Sequence, residues 1–233
     1  RDVLEAKIYF GEKLVASIGS EFIENNGEDR KRQEGMNAEE IKQDCETKAF
    51  FRLAERIKKR FPRLPILLLA DSLYASKQVM ELCREYKWEF LIRYKKGSIP
   101  SIAEEYEKIP EKGKTEKAEF VNEIDYEGKP VHVLRYREEK EGEITEFQWL
   151  CSIKISKENA EKMAEAGRKR WKIENEGFNR QKNWQGDITH ACSWNDQSQK
   201  NHYLMEQISD FMKQLYEYYY LKKNGIEKKQ KNI

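Results

Sequence analysis

The chain has 233 residues, with 44 Lys or Arg against 42 Asp or Glu, and its formal net charge of +2 excludes reading function from a global charge bias. With 38% hydrophobic and 12% aromatic residues it can bury a core, which argues against disorder. Four cysteines (Cys45, Cys83, Cys151, Cys192) form no C-x-x-C pair and only three histidines are present, which argues against structural zinc and for reduced, buried thiols in a cytoplasmic protein. No apolar run is long enough to span a bilayer.

Val3–Phe10 and Lys13–Ile23 read as two strands joined at Gly11-Glu12, followed by a polar loop from Asn25 to Asn37. Ile41, Cys45, Ala49, Leu53 and Ile57 recur every four residues, the stripe of an amphipathic helix that Pro62 and Pro65 stop. Ile66–Ala70 is continuously apolar, as expected of a central strand covered on both faces. A helix over Lys77–Tyr86 and a strand over Glu89–Tyr94 follow, and Lys95 to Lys117 is irregular or briefly helical. Ala118–Tyr126, Val131–Tyr136 and Ile144–Ile153 are β-type runs with turns at Glu127-Gly128 and Glu141-Gly142, hence a small meander inserted in the main fold. A long helix is expected from Ser156, with Ser156 as cap and Glu158 in the first turn, carrying Glu174. The last helix, Gln197–Leu221, has Leu204, Ile208, Phe211, Leu215 and Tyr219 on one side, expected to pack on the domain. A basic, solvated tail closes the chain. The domains read as a first core part (1–95), a linker and β-insertion (96–153), C-terminal core helices (154–223) and the tail (224–233).

Residues 168–182 hold six Lys or Arg against two Glu. On a helix Arg170 and Glu174 share a face, with Phe178 and Gln181 following. Glu174 is then either an ion-pair member or a metal-binding acid within a phosphate-binding surface, and the second reading needs another acid. Asp71 ends the apolar run, where open α/β sheets place their ligands; a turn or cap residue is its other reading. Phosphodiester chemistry commonly uses two Mg²⁺ ions about 3.5–4 Å apart, held by hard carboxylate oxygens. Asn175 and Asn179 can contact phosphate or base, since amides both donate and accept. His190 orients a water or phosphate, or is structural, and Trp171 is expected in the core. Glu21, Glu24 and Asn25, near a sheet edge, and Asp44, on a helix, are minor candidates. Cys45, Cys83 and Cys151 have no histidine at a recognisable spacing, so a thiol nucleophile is not expected.

Arg170-Trp171-Lys172-Ile173-Glu174, the segment Ala70-Asp71-Ser72-Leu73-Tyr74-Ala75 and the inserted β-region resemble a bacterial insertion-sequence transposase of the DDE superfamily. The likeness covers nearly the whole chain and is to the group whose last motif is Y-x2-R-x3-E-x6-K. It implies an α/β fold, an RNase H-like (retroviral-integrase-like) mixed sheet flanked by helices, with an inserted β-meander. It implies that Asp71 is the second metal-binding Asp and Glu174 the final Glu, holding two Mg²⁺ (or Mn²⁺) ions. Arg170, Lys172, Asn175, Asn179, Arg180 and Lys182 would lie on DNA, with His190 auxiliary. The implied activity is cleavage and strand transfer at transposon ends. The implied partners are double-stranded DNA (ends and target) and a second copy of the chain, with no membrane, in the cytoplasm on the nucleoid.

Two residues depart from the motif. Gly167 holds the tyrosine position, and Lys182 lies eight residues after Glu174 where the motif has seven, with Gln181 in the expected place. At about 100° per residue the extra step turns the lysine off the Glu174 face, unless a bulge at Gly177 absorbs it. Counting strands back from Asp71 leaves none for the first acid, so the resemblance implies that it precedes Arg1 and that this fragment alone is inactive. A simple RNase H-like nuclease and a non-catalytic DNA-binding remnant are the alternatives; the β-insertion and the basic final helix favour transposase.

Overall fold

A computed structural model describes residues 2–10, 14–23, 34–95, 97–140, 142–173, 178–179, 181–182, 193–221 and 223–225. The chain divides into two compact units, residues 1–62 with 172–233, and residues 63–171.

In the first unit, β1 (Val3–Phe10) and β2 (Leu14–Phe22) form an antiparallel pair with a bulge at Ala6/Lys7. Helix α1 (Ala38–Arg60) packs against them. Asn37 starts it: the Asn37 side chain accepts from the N–H groups of Glu39 and Glu40, and the Glu40 carboxylate returns a bond to the Asn37 N–H at 2.8 Å. This reciprocal cap satisfies donors that the first turn leaves unpaired. The predicted stripe of Cys45, Ala49, Leu53 and Ile57 is buried, and the helix ends before Pro62 as expected.

The last helix reverses its expected orientation. It runs as α6 (Asp196–Leu215) and continues as a π-helix over Tyr216–Leu221. Of the residues predicted to pack, Leu204, Ile208 and Tyr219 are exposed, whereas Gln207, Asp210 and Gln214 are buried. Hydrogen bonding explains the inversion. The Gln214 amide donates to the Val15 carbonyl and accepts from the Val15 N–H, both at 2.9 Å, and also donates to Asp210. The Gln207 and Gln181 amides exchange two bonds at 3.0 and 3.1 Å. A buried polar network satisfied in this way fixes which face turns inward.

The second unit is built on a six-stranded mixed sheet, ordered β3 (Leu67–Ala70), β4 (Glu89–Arg93), β8 (Glu143–Cys151), β7 (Lys129–Lys140), β6 (Ala118–Tyr126) and β5 (Gly113–Lys114). β3 and β4 are parallel and joined through α2 (Lys77–Tyr86), whose predicted limits are the observed ones. The meander is continuous with this pair, because β8 runs antiparallel to β4 with Leu91 opposite Cys151. Helix α3 (Pro100–Lys108) leads into it. The sheet core joins Phe90, Leu91 and Ile92 of β4 to Leu134, Trp149 and Leu150, covered by Ala160, Met163 and Ala164 of α4 (Ala160–Arg168). The mixed sheet flanked by helices is the fold class that the sequence indicates, and it is consistent with an RNase H-like fold. No described helix is long and apolar enough to cross a membrane.

Three local expectations are corrected. β3 is not central: among the described residues it pairs with β4 alone, and Leu67 is exposed at the sheet edge. Ser156 does not cap the next helix. Its N–H is taken by the Asn159 side chain at 2.8 Å, a turn occupies 157–159 with Glu158 in it, and α4 starts at Ala160. Nor is α4 long. It stops at Lys169, and α5 (Arg170–Lys172) is a single short turn. That break ends the buried series Ala160, Met163, Ala164, Gly167, so Trp171, next in helical phase and predicted to be core, is 64% exposed.

Candidate active site

Asp71 follows Ala70 at the C-terminal end of β3, in extended conformation, and starts a single 3₁₀ turn over Ser72–Tyr74. Its Oδ1 accepts the Leu73 N–H at 3.0 Å, so the turn-cap reading holds. The buried Tyr74 ring anchors the turn, and Ser76 then caps α2. The other oxygen, Oδ2, lies 3.7 Å from Nη1 of Arg170, both side chains being about one-third exposed. At that distance and exposure the pair is loose and contributes little stability. Of the predicted site residues, these two are brought together.

Beside them stands a cation that the sequence reading did not single out. Arg93 ends β4, directly opposite Trp149 in the ladder. Phe147 and Trp149 are two apart on β8, so alternation puts both rings on one face, where they stack 5.9 Å apart. The Arg93 guanidinium lies over both, 4.6 Å from the Phe147 ring and 5.5 Å from the Trp149 ring. Arg168 covers the Phe147 ring at 5.4 Å and pairs with Glu138 at 2.8 Å. Arg93 has no such partner: its Nη2 donates to the Glu146 carbonyl at 3.4 Å, and among the described residues no carboxylate reaches it within the 4.0 Å of an ion pair. Burial, and then the neighbouring Arg170 charge, push this guanidinium below its ordinary pKa. A stacked, partly desolvated arginine beside another arginine is suited to a planar or tetrahedral oxyanion. The available signal was the residue types at a strand end together with the Phe147-x-Trp149 alternation.

Asn179 and Lys182 are exposed. Gln181, at the motif's lysine position, is fully buried on Gln207 and cannot face a ligand. Lys172 closes α5. Glu174, Asn175, Gly177, Arg180, His190 and Cys192, with Glu24, Asn25 and the Gly11-Glu12 turn, lie outside the described residues. Glu21 is engaged by Arg52 and Arg56, each at 2.6 Å, as a tie to α1. Gly167 is explained by its neighbour, since a β-carbon there would lie 2.6 Å from Nε1 and Cε2 of Trp149. Cys45, Cys83 and Cys151 are buried and in no disulfide; burial pushes Cys83 up to about 12 and Cys151 still higher, against nucleophilic use of those two.

As a metal ligand Asp71 offers the right donor, a hard carboxylate oxygen without a hydrogen bond among those described. Among the described residues no three His, Cys, Asp or Glu side chains gather, so Asp71 could supply only one ligand of a set.

A family model described as "Transposase DDE domain" matches residues 43–205. No curated protein and no solved structure matches the chain.

Proposed function

Because the chain belongs to the transposase DDE-domain family, we propose that it is the catalytic part of a cut-and-paste DNA transposase, cleaving transposon ends and joining them to target DNA. The observation that carries this reading is the Asp71 carboxylate at the C-terminal end of a parallel strand, with Arg170 at 3.7 Å and Arg93 at the end of the adjacent strand. An acid beside arginines that can take phosphate oxygens is the arrangement that phosphodiester chemistry needs. In this proposal Asp71 and Glu174 are the acids and Arg170, with Arg93 added, contacts the DNA backbone. Lys172, Asn175, Asn179, Arg180 and Lys182 contribute further DNA contacts, and His190 is auxiliary. Among the described residues the outer edge of β3 is unpaired, so it can accept a further strand.

Two Mg²⁺ (or Mn²⁺) ions belong to the proposal, with Asp71 the described ligand; such ions, when bound, lower the pKa of an attacking oxygen and stabilise the leaving oxygen. The chain's own contributions are separate. Arg93 and Arg170 neutralise and orient the phosphodiester, and the Leu73 N–H fixes the Asp71 carboxylate.

Labelled terminal-repeat DNA tests the reading. Strand-transfer products are expected, and Glu174→Gln should abolish end cleavage while DNA binding stays within about twofold, since an amide keeps the side chain's shape. Nicks without strand transfer would instead indicate a simple nuclease. Cleavage retained by Glu174→Gln would refute the assignment.

A further inference from the structure

Past the π-helical segment Tyr216–Leu221, Asn224 and Gly225 form an exposed turn. Two donors of Asn224 converge there on one acceptor: its backbone N–H and its side-chain amide both bond the Tyr220 carbonyl, at 3.1 and 2.7 Å. The last carbonyls of a helix have no acceptor-to-donor partner within it, and this amide supplies one. Gly225 then takes φ +65°, the left-handed conformation that stops a helix and that glycine adopts without strain. The requirements of helix termination thus set a glycine directly after an asparagine.

That pair is chemically labile, because asparagine is thermolabile and glycine has no side chain to shield the nitrogen beside it. The glycine nitrogen attacks Cγ of the asparagine and closes a five-membered imide. The Cγ–Nδ2 bond breaks, and the side-chain nitrogen leaves as ammonia, taking the proton of the glycine N–H. Water then opens one of the two imide bonds, leaving aspartate, or the other, leaving isoaspartate. No reagent but water is consumed.

Asn224 is distinct from the other asparagines. The second Asn-Gly pair, Asn26-Gly27, lies outside the described residues. Every other described asparagine precedes a residue with a side chain, and Asn37, Asn122, Asn159 and Asn195 each have Oδ1 held by a backbone N–H.

We infer that Asn224 is a site of spontaneous deamidation, gated by its bond to Tyr220, and that the reaction frees this end of the helix for good. Ring closure swings Cγ onto the Gly225 nitrogen, so the bond from Nδ2 to Tyr220 opens first and the folded helix end slows the reaction. The product does not remake that bond. A carboxylate has no donor for the Tyr220 carbonyl, and its charge lies at the negative end of the helix dipole. Isoaspartate also adds a methylene to the main chain and breaks the helical repeat. The new charge falls where five lysines stand against Glu227 between 222 and 233, and it removes one unit of their net positive charge. The inference does not rest on the reaction proposed above.

Incubating the full chain in warm, mildly alkaline buffer, with peptide mass spectrometry at intervals, tests it. Aspartate and isoaspartate should accumulate at 224, at least about twofold faster when urea unfolds the chain and removes the gate. In Asn224→Asp, hydrogen exchange reads the consequence. The protection factor of the amide at 224 should fall roughly two- to fivefold, as expected of a misplaced charge at a helix end. That of the Val15 amide, bonded to Gln214 inside the same unit, should not change. An Asn224 that stays intact, a rate at 224 that unfolding leaves unchanged, or full protection in Asn224→Asp each overturns the inference.

Discussion

Replacing Gly167 with alanine sets two known effects against each other. In a helix interior alanine is favoured over glycine by about 1 kcal/mol. At this position, however, the new β-carbon would lie 2.6 Å from Nε1 and Cε2 and 3.0 Å from Cζ2 of Trp149. Carbon atoms in contact prefer about 3.5–4.0 Å, so the indole or the helix must retreat by close to an ångström. The indole has nowhere to go: it is 2% exposed, stacked on Phe147, and carried on a strand paired on both sides. Overpacking of this kind costs about 1–3 kcal/mol, which outweighs the helix gain and leaves a net loss of about 1 kcal/mol, or roughly 2–4 °C in Tm for a chain of this size. Leucine at 149 ends short of the clashing atoms. In the Trp149→Leu background, Gly167→Ala should therefore become stabilising by about 1 kcal/mol. The two backgrounds differ by about 2 kcal/mol, the coupling energy of the pair. Urea melts of the four proteins, followed by far-UV circular dichroism, supply the cycle. If Gly167→Ala stabilises the wild-type chain by the full helix-propensity amount, glycine and indole are not in contact. The same geometry explains why no tyrosine stands here: its ring would need the space that Trp149 fills.

Arg93→Ala should lower the slope of log K against log salt for DNA binding by about 0.9, one phosphate contact, while Arg93→Lys retains the slope. An unchanged slope in Arg93→Ala, measured by fluorescence anisotropy, would confine Arg93 to packing. Two groups give stability opposite dependences on pH. Burial raises the Glu5 pKa, against hydrogen bonds from Ser17, Ser20 and Tyr203, so its contribution is present below the ordinary 4.5 and lost as pH rises through the folded value. Glu5→Gln should abolish that fall in urea melts run from pH 4 upward. Burial lowers His132, whose Nδ1 accepts the Glu123 N–H at 3.0 Å across a register shift, so its contribution is present above 6.5 and lost as pH falls through the folded value. The protection factor of the Glu123 amide against hydrogen exchange should drop over the same fall; a constant protection factor would exclude the link.

The elements legible in the sequence were those whose signals are local. Asn37, the four-residue stripe and Pro62 delimit α1, while Ser76 and the sequence after it delimit α2. Asp71 stood out as a candidate because it terminates an apolar run. Misreadings arose where a distant partner decides. The apolarity of Leu67–Ala70 reports a demand for burial but not which neighbours meet it, so an edge strand reads as a central one. The inward face of α6 is chosen by Gln214 bonding Val15, 199 residues away, and no periodicity carries that information. Between Ser156 and Asn159, two residues of similar capping power, an extra turn decided the start of α4. Arg93 escaped notice because its rings lie on β8, and an arginine at a strand end looks solvated until Phe147 and Trp149 are paired to it.

Among the described residues Asp71 and Arg93 compete for Arg170, and the competition has a measurable sign. The Arg170 charge is held loosely by Asp71 at 3.7 Å and is set against that of Arg93. A DNA phosphate reaching both arginines relieves their repulsion but approaches the Asp71 carboxylate, which repels it. Two unit charges about 4 Å apart in water interact by about 1 kcal/mol, so removing the carboxylate charge should tighten DNA binding by about fivefold. Asp71→Asn measured in the presence of a chelator isolates this effect from any bound cation, and the amide still accepts the Leu73 N–H, so the turn is kept. The gain should shrink as salt is raised from about 0.05 to 0.2 M, as a screened interaction must. If Asp71→Asn instead weakens binding, Asp71 orients Arg170 toward phosphate, and the pair acts as a positioning device in place of a contest between two charges.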